Sequence, residues 1–465
     1  MLRHSFQNDL VPVHTGKNKA VVRPMIDLFA GCGGLSLGFE QAGFTPIFVN
    51  ELNDDARATY LLNRSHLIGG SPFNTMPDLA SSDVNTLDKL RLEKLQADLR
   101  QLDSDLVFGP ASTIDVLAGG PPCQGFSGIG HRRSYSVDKQ DIPSNQLYER
   151  MASVIETVQP RIFLFENVRG LLFSRWTNEG QKGDIWKDVY GRFRRLGVEF
   201  GYTVRWQLVL ASDYGVPQNR PRVLMVGIRN DVKDAARAVL KPEADEHSAY
   251  LCNFLPRYGI HPVPDLIDLL GDLEDRTTTD ALLTQDFPED FATRKYPRKA
   301  TTAVQEQLRA NQGGTNVSRI TEQEYSRHSA RIVEKFKAMI ENGGEIPEEH
   351  RTKKFSQKVL PARWGNKAPS ITATSMPDDY VHYRQPRTLT VREWARLQTF
   401  PDWYQFAGKR TTGGLRRAGN PREGIHDREV PKYTQIGNAV PVRLAEAVAL
   451  HFDMILKAAG YPGDE

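Results

Sequence analysis

The stretch from residue 21 to residue 51 constrains the fold more than any other part of the chain. Its pattern predicts a buried strand at 21–29, a glycine-rich turn at 30–34, a helix at 35–41 closed by Gly43 and a second strand at 46–50. A strand that passes through glycines into a helix leaves backbone N–H groups free to meet a ligand. The pattern therefore predicts an α/β fold with a ligand site at the carboxyl ends of its strands.

The second strand ends at Glu51, about 20 residues after the turn, where a carboxylate can bind the ribose hydroxyls of a nucleoside. The turn reads Gly31-Cys32-Gly33-Gly34, which is not the dinucleotide fingerprint, and no lysine follows it that would hold a triphosphate. These residues predict a nucleoside-containing cofactor without saying which one.

A second distinctive turn surrounds Cys123. An apolar run at 114–117 leads into the sequence Gly-Gly-Pro-Pro-Cys at 119–123. Proline fixes φ and lacks an N–H group, so Pro121 and Pro122 hold one extended conformation just before the thiol. We interpret Cys123 as a positioned nucleophile. The alternative is a cysteine that is buried only for packing.

Composition excludes several classes of protein. A chain of 465 residues suffices for about two or three cores, and its hydrophobic fraction of 39% includes no apolar run long enough to span a bilayer. No charged-then-apolar leader marks a secretory signal, which predicts a cytoplasmic protein. The three cysteines are far apart and show no metal-ligand spacing, so neither a disulfide framework nor a metal site is expected.

The charge is unevenly distributed although the net charge is only +3. Residues 231–293 contain fourteen acidic and five basic residues, whereas residues 294–367 contain eight acidic and sixteen basic residues. Such a switch predicts that the basic part faces a polyanion. A solvated surface of mixed charge is the alternative.

Periodicity predicts the remaining elements. Strands are expected at 161–165, 203–210 and 222–228, and helices at 147–158, 263–273, 325–341 and 442–456. Thr390 and Glu393 form a capping box that starts a further helix. Polar residues follow or connect the predicted strands, which predicts one shared cleft with the thiol; these residues are Glu166, Gln218, Arg220 and Arg222.

Five short blocks occur in one order along the chain: Asp27-Leu28-Phe29-Ala30-Gly31-Cys32-Gly33-Gly34, Pro121-Pro122-Cys123-Gln124, Phe165-Glu166-Asn167-Val168, Gln218-Asn219-Arg220-Pro221-Arg222 and Gln435-Ile436-Gly437-Asn438-Ala439-Val440-Pro441. In this order they resemble the DNA (cytosine-5) methyltransferase family over most of the chain. The resemblance implies a Rossmann-like sheet of the S-adenosylmethionine-dependent methyltransferase type, with a second, smaller DNA target-recognition domain.

The resemblance also implies that S-adenosylmethionine is the cofactor. Phe29 would lie against the adenine, Glu51 on the ribose, and Asn438 beside the methionine part. Leu52 stands where the family often has a bulky aromatic residue. The full set of implied cofactor contacts is Phe29, Gly31, Gly33, Glu51, Leu52, Asp83, Val84, Pro122, Leu147 and Asn438. For Asp83 the alternative is a plain turn residue.

By the same resemblance, Cys123 attacks carbon 6 of a cytosine so that carbon 5 can accept a methyl group. Glu166, held protonated by burial, would donate to ring nitrogen 3, and Arg222 would hold the 2-oxo group. Gln218 and Arg220 would support the pocket and the DNA backbone. Basic neighbours such as Arg220 or Arg222 would also favour the thiolate of Cys123.

The implied substrate is duplex DNA with the target cytosine flipped out of the helix. Glycines and the basic residues Arg132 and Arg133 follow Cys123 and predict a loop that closes over DNA. The implied organisation is a leader at 1–20, a catalytic cofactor-binding domain at 21–230, a target-recognition domain at 231–365 and a return segment at 366–465 whose last helix packs on the catalytic domain. The expected protein is a cytoplasmic, nucleoid-associated monomer, with a cognate restriction endonuclease as a functional partner.

Two other functions remain open at this point. The first is methylation of transfer RNA, against which the long middle region argues. The second is a non-catalytic DNA-binding regulator on a methyltransferase scaffold that has lost its catalytic residues. The five cleft residues are all present, which argues against such a loss; they are Cys123, Glu166, Gln218, Arg220 and Arg222.

Overall fold

A seven-stranded sheet forms the centre of the protein. The computed structural model describes residues 21–122, 143–177, 179–275, 291–292, 295–311, 314–315, 317–351, 357–365, 369–371, 379–411 and 429–463. The strands of the sheet are β1 (Pro24–Leu28), β2 (Thr45–Asn50), β3 (Ala80–Ser81), β4 (Val116–Gly119), β5 (Ile162–Val168), β6 (Tyr202–Leu210) and β7 (Pro221–Arg229).

The strand order is β3-β2-β1-β4-β5-β7-β6. Strands β1 to β5 pair in parallel, and β7 runs antiparallel to both β5 and β6. The chain order reverses between β1 and β4, and ligands of open α/β sheets bind at such a switch point, outside the carboxyl ends of the strands. The predicted α/β fold is confirmed, and the glycine-rich turn after β1 lies at this switch point.

Helices cover both faces of the sheet. They are α1 (Gly34–Gln41), α2 (Asp54–Leu62), α3 (Lys89–Leu102), α4 (Leu147–Val158), α5 (Asp184–Phe200), α6 (Asn230–Ala235), α7 (Leu266–Leu270), α8 (Ala303–Arg309), α9 (Ala330–Glu341), α10 (Val391–Leu397), α11 (Lys432–Asn438) and α12 (Val442–Ala458). Buried side chains of α3, α4 and α5 form a core on one face, and those of α1 and α12 form a core on the other. None of the helices in the described residues has the length and hydropathy to span a membrane.

The last helix returns to the first one. Gly38 lets the backbones approach closely, because a Cβ atom at this position would lie 2.5 Å from the Cβ of Ala445. The ring of Phe39 packs edge-on against Phe452 at a centroid distance of 6.0 Å. The last helix thus packs directly against the first helix of the chain. Residues between 232 and 255 join the same core, so this core extends past the boundary expected at residue 230.

Two predicted helices are shorter than the periodicity indicated. Helix α7 begins only at Leu266, because Pro262 and Pro264 restrict the residues before it, and a 3₁₀ turn at Gly271–Leu273 follows it. Helix α9 begins at Ala330 rather than at 325, since Glu324–Tyr325 pairs as a strand with Phe291–Ala292. The capping box on α10 is present as predicted.

A third core holds the later part of the chain together. It contains buried residues of α7, α8, α10 and α11, together with Cys32 and Leu37 from the glycine-rich turn and α1. The return segment therefore packs directly behind the turn that follows β1.

Candidate active site

The glycine-rich turn after β1 has an unusual backbone. Phe29, Gly31 and Gly33 all have positive φ, at 57°, 57° and 84°. A Cβ atom at Gly31 would meet no atom within 4 Å, whereas one at Gly33 would lie under 3 Å from three side chains. The turn is therefore open to a ligand on the side of Gly31 and closely packed on the side of Gly33.

Glu51 fixes the open side of this turn. Its carboxylate accepts hydrogen bonds from the N–H groups of Gly31 and Asn53, both at 2.8 Å. Burial raises the pKa of Glu51, although these two bonds oppose the shift. The predicted carboxylate at the end of β2 is thus held against the turn.

The predicted adenine side contains residues of different exposure. Leu52 is 72% exposed beside Glu51, and Phe29 is partly buried against the first core. Asp83 caps a 3₁₀ turn by accepting from the N–H of Asn85 at 2.9 Å, as the turn interpretation predicted. Val84 is buried in the first core, so its side chain serves packing.

The carboxyl end of β4 lies beside Glu166 on β5. A Cβ atom at Gly120 would come within 2.9 Å of Oε2 of Glu166, so a larger residue at this position would displace the carboxylate. The next residue is anchored as well, because the side-chain amide of Asn167 donates to the carbonyl of Pro121 at 3.1 Å. The start of the Pro-Pro-Cys turn is therefore held against the end of β5.

Glu166 and Arg222 form an ion pair. Nε of Arg222 lies 2.7 Å from Oε1 of Glu166, and both side chains are only slightly exposed. The sheet register explains this contact, since Arg222 on β7 is opposite Val168, two residues beyond Glu166. Burial was the effect expected to act on Glu166, and the structure adds Arg222 as a cation in direct contact with it.

Gln218 and Arg220 are buried and face the return segment. The Gln218 amide donates to the carbonyl of Leu397 at 2.5 Å. Arg220 donates to the carbonyls of Ile371, Gly437 and Ala439, the last two at 2.7 and 3.0 Å. Burial lowers the pKa of Arg220, as does the nearby charge of Arg222. Three main-chain acceptors occupy this guanidinium, and the expected role of Arg220 in supporting the pocket and the DNA backbone stays a prediction.

These bonds attach the end of α11 to the sheet. Asn438 is the last residue of that helix and is exposed, next to the two carbonyls that Arg220 holds. Leu147 is partly buried against the first core, and Pro122 is exposed. Cys123, Arg132 and Arg133 lie outside the described residues.

Neither of the other cysteines is placed for chemistry. Cys32 and Cys252 are both free and buried, and burial raises the pKa of the Cys32 thiol to about 12. Within the part of the chain that the structure describes, no group of three or more His, Cys, Asp or Glu side chains can hold a metal ion.

Comparison with known proteins decides the family. The family model for the C-5 cytosine-specific DNA methylase matches residues 24–452. The chain belongs to this family. It is a DNA cytosine-5 methyltransferase, and its family uses S-adenosylmethionine as the methyl donor.

Curated relatives agree with this assignment. The Type II methyltransferase M.DdeI of Desulfomicrobium norvegicum is 30% identical over 442 residues, which cover 91% of this chain and 87% of the relative. The Type II methyltransferase M1.HphI of Haemophilus parahaemolyticus is 30% identical over 430 residues, covering 91% and 85%. The crystal structure of a DNA modification methyltransferase encoded within an E. coli prophage has a TM-score of 0.61 at 23% identity, covering 93% of this chain and 99% of that one. This last likeness confirms the fold.

Three residues of this methyltransferase site were given no individual role from the sequence, although Asp27 and Asn167 lie in the blocks that carry the resemblance. Asp27 is fully buried below the turn, and its Oδ2 accepts from the Ser36 hydroxyl at 2.5 Å. Asn167 and Gly120 shape the space between β4 and β5. A polar residue inside an apolar strand and two glycines before two prolines were the available signals. What these residues touch depends on elements far away in sequence.

Proposed function

We propose that this DNA methyltransferase binds S-adenosylmethionine in the turn after β1. The residues of this turn fit S-adenosylmethionine, because the turn leaves open space at Gly31 and because Glu51 is already held at its edge. Phe29 and Leu52 would cover the adenine, and Asp83 would accept from its amino group. Exposed Asn438 would border the methionine part. When bound, this cofactor supplies a methyl group on a positively charged sulfur.

Cys123 would be the nucleophile. Its thiolate adds to carbon 6 of cytosine, forming a C–S bond and moving an electron pair towards carbon 5 and ring nitrogen 3. After carbon 5 has been methylated, water takes the proton from carbon 5. The electron pair of that C–H bond restores the double bond between carbons 5 and 6, and the C–S bond breaks so that the thiolate leaves. The anchored start of the Pro-Pro-Cys turn supports this role, because Asn167 ties it to the strand that carries Glu166.

Glu166 and Arg222 would form the cytosine pocket. Glu166 would contact nitrogen 3 and the 4-amino group, and Arg222 would hold the 2-oxo group. The 2.7 Å ion pair supports the proposal, since it places an acid and a cation at the same sheet edge with fixed spacing. Gln218 and Arg220 would act from behind by holding the segment that ends in Asn438.

The proposed substrate is a cytosine flipped out of duplex DNA. Unpairing and unstacking this base costs a few kcal/mol, and phosphate contacts of Arg132 and Arg133 would offset that cost. Relatives named as Type II methyltransferases favour a role in restriction and modification, with a cognate endonuclease as functional partner. One chain carries every proposed residue, which favours a monomer. Such a substrate would place the enzyme in the cytoplasm, at the nucleoid.

The observation that carries the proposal is the convergence of Gly31, Glu51, Gly120 and Glu166 at the carboxyl ends of four neighbouring parallel strands. The test is a duplex containing 5-fluorocytosine, which has no removable proton at carbon 5. The wild-type enzyme should form a denaturant-stable adduct with it only in the presence of S-adenosylmethionine.

The matched variants are Cys123→Ala and Cys252→Ala. Cys123→Ala should form no adduct and retain less than about 1% of wild-type transfer, whereas Cys252→Ala should retain both properties wherever it folds. Transfer by Cys123→Ala above a few per cent of wild type would remove Cys123 from the nucleophile role. Transfer to transfer RNA but not to duplex DNA would replace the proposed substrate.

A further inference from the structure

The glycine-rich turn after β1, called the cofactor turn from here on, has a strained backbone conformation. Phe29 has a φ of 57°, a conformation that costs a residue with a side chain of the order of 1 kcal/mol or more. Gly31 and Gly33 also have positive φ. Such a backbone persists only where the surrounding structure fixes it.

Two side chains far apart in sequence hold the carbonyls of this turn. The Tyr404 hydroxyl donates to the carbonyl of Cys32 at 2.5 Å, and Nη2 of Arg64 donates to the carbonyl of Gly33 at 3.1 Å. The two side chains also contact each other, since Nη1 of Arg64 lies 3.1 Å from the Tyr404 oxygen. All these groups are buried, so water does not replace the bonds.

The packing leaves this arrangement little freedom. A Cβ atom at Gly33 would lie 2.7 Å from Arg64, 2.8 Å from the Tyr404 oxygen and 2.8 Å from the ring of Tyr60. Arg64 lies over that ring at 3.7 Å and pairs with Glu40 at 2.7 Å. The guanidinium is thereby fixed from α1 and α2 at once, and its planar fork reaches both Gly33 and Tyr404.

Helix α2 is itself attached to the return segment. The Thr59 hydroxyl donates to Oε1 of Gln435 at 2.7 Å, and the side chain of Asn63 bonds to the backbone of Gln405 in both directions. Helix α2, which carries the ring that packs on Arg64, is therefore connected by hydrogen bonds to residues 404–407 and to α11.

We propose that Tyr404 and Arg64 are positioning residues that set the affinity of this enzyme for its cofactor by holding the Cys32 and Gly33 carbonyls. The inference rests on the proposed cofactor site. It makes the affinity for S-adenosylmethionine depend on a tyrosine of the return segment, 372 residues along the chain from Cys32. Neither residue touches the reacting atoms.

The main test is Tyr404→Phe, which removes one hydroxyl and leaves the ring. Without this hydroxyl the buried Cys32 carbonyl loses its donor. The Kd for S-adenosylmethionine and for S-adenosylhomocysteine should therefore rise about 5- to 30-fold. The kcat at saturating cofactor and the KM for DNA should stay within about twofold of wild type, because the reacting groups are unchanged. Hydrogen exchange in the cofactor-free enzyme should increase at residues 29–34.

Tyr202→Phe is the matched control. Its hydroxyl also donates to a buried backbone carbonyl, that of Pro160 at 2.6 Å, but on the far side of the sheet. It should lose comparable stability and keep the wild-type Kd. A Kd for Tyr404→Phe within twofold of wild type would overturn the inference, as would an equal rise in Tyr202→Phe.

Arg64→Lys provides a second variant. A lysine keeps the charge beside Glu40 but has no planar fork to reach Gly33 and Tyr404 together, so the Kd should again rise several-fold. If Tyr404→Phe does not fold, an unchanged Kd in Arg64→Lys overturns the inference. If the wild-type enzyme binds no S-adenosylmethionine, the proposed function and this inference fall together, whereas wild-type binding with unaffected variants removes the inference alone.

Discussion

Two fully buried carboxyl groups of this enzyme, Asp27 below the cofactor turn and Glu393 on α10, have pKa values shifted in opposite directions. Burial raises the pKa of Asp27 to about 7, and the hydrogen bond from the Ser36 hydroxyl only partly opposes this shift. The other oxygen of Asp27 has no hydrogen-bond partner among the described residues. Burial would raise the pKa of Glu393 as well, but Arg387 at 2.6 and 2.8 Å lowers it to about 2.

The difference separates a region built for function from one built for cohesion. Around Glu393 the charges are paired in a dense network, in which Arg396 contacts Asp272 and Asp402, each at 2.6 Å. Arg309 joins it through Asp272 at 2.5 Å. These pairs bind α7, α8 and α10 to one another. Below the cofactor turn, by contrast, the Asp27 carboxyl has no cation in direct contact among the described residues, and its Oδ1 has no hydrogen-bond partner there.

The largest expected effect tests the paired region. Arg387→Met leaves the buried Glu393 carboxylate without its cation, so the free energy of unfolding should fall by about 3 to 5 kcal/mol. Denaturant unfolding followed by tryptophan fluorescence measures this loss. The control Lys457→Met removes a half-exposed ammonium group from its pair with Asp453 and should cost less than about 1 kcal/mol. A similar small loss in Arg387→Met would contradict the proposed cohesive role.

The second prediction concerns pH. The pKa of Asp27 is about 7 in the folded enzyme and 3.8 without its surroundings, so the folded state binds more protons between these values. Stability contributed by this group is therefore lost as the pH rises from about 4 to about 7. Relative to wild type, Asp27→Asn should gain about 2 to 4 kcal/mol in unfolding free energy over that window.

Unfolding of both proteins at pH 5, 6 and 7.5 measures this change. Glu393→Gln provides the contrast, because the low pKa of Glu393 keeps this group ionised throughout the same window. Its difference from wild type should stay constant with pH. A constant difference for Asp27→Asn as well would show that its carboxyl does not titrate in that range.

The smallest expected effect sharpens the picture at the sheet edge. Gly120→Ala places a methyl group within 2.9 Å of the Glu166 carboxylate. The resulting displacement should lower kcat about 10- to 100-fold while the Kd for S-adenosylmethionine stays near wild type. Gly191→Ala is the matched control, since a Cβ atom there meets nothing within 4 Å inside α5. It should keep full activity and add about 0.5 to 1 kcal/mol of stability; equal kcat values would contradict the role of Gly120.

Much of the site follows from local patterns. The strand, turn and helix at the start of the chain were predicted from apolar runs and glycines, and the structure has them at β1 and α1. The capping box of Thr390 and Glu393 was equally readable, because cap chemistry depends on residues three positions apart. The position of Glu51 at the end of β2 followed from the same reasoning.

Other features depended on partners that no local pattern names. Arg220 and Arg222 are only two positions apart in sequence. Arg220 donates to carbonyls of the return segment, whereas Arg222 pairs with Glu166. Tyr404 donates to Cys32 across 372 residues of chain. No periodicity or spacing in the sequence indicates either contact.

The sequence by itself determined which segments become strands, turns and helices and which blocks assign the enzyme to its family, because backbone conformation and burial pattern depend on neighbouring residues. Only the tertiary structure decided the charge state of Asp27, the partner of Glu166 and the donors to the cofactor turn. Desolvation and hydrogen bonding depend on which distant groups come within about 3 Å of one another, and packing alone sets that distance.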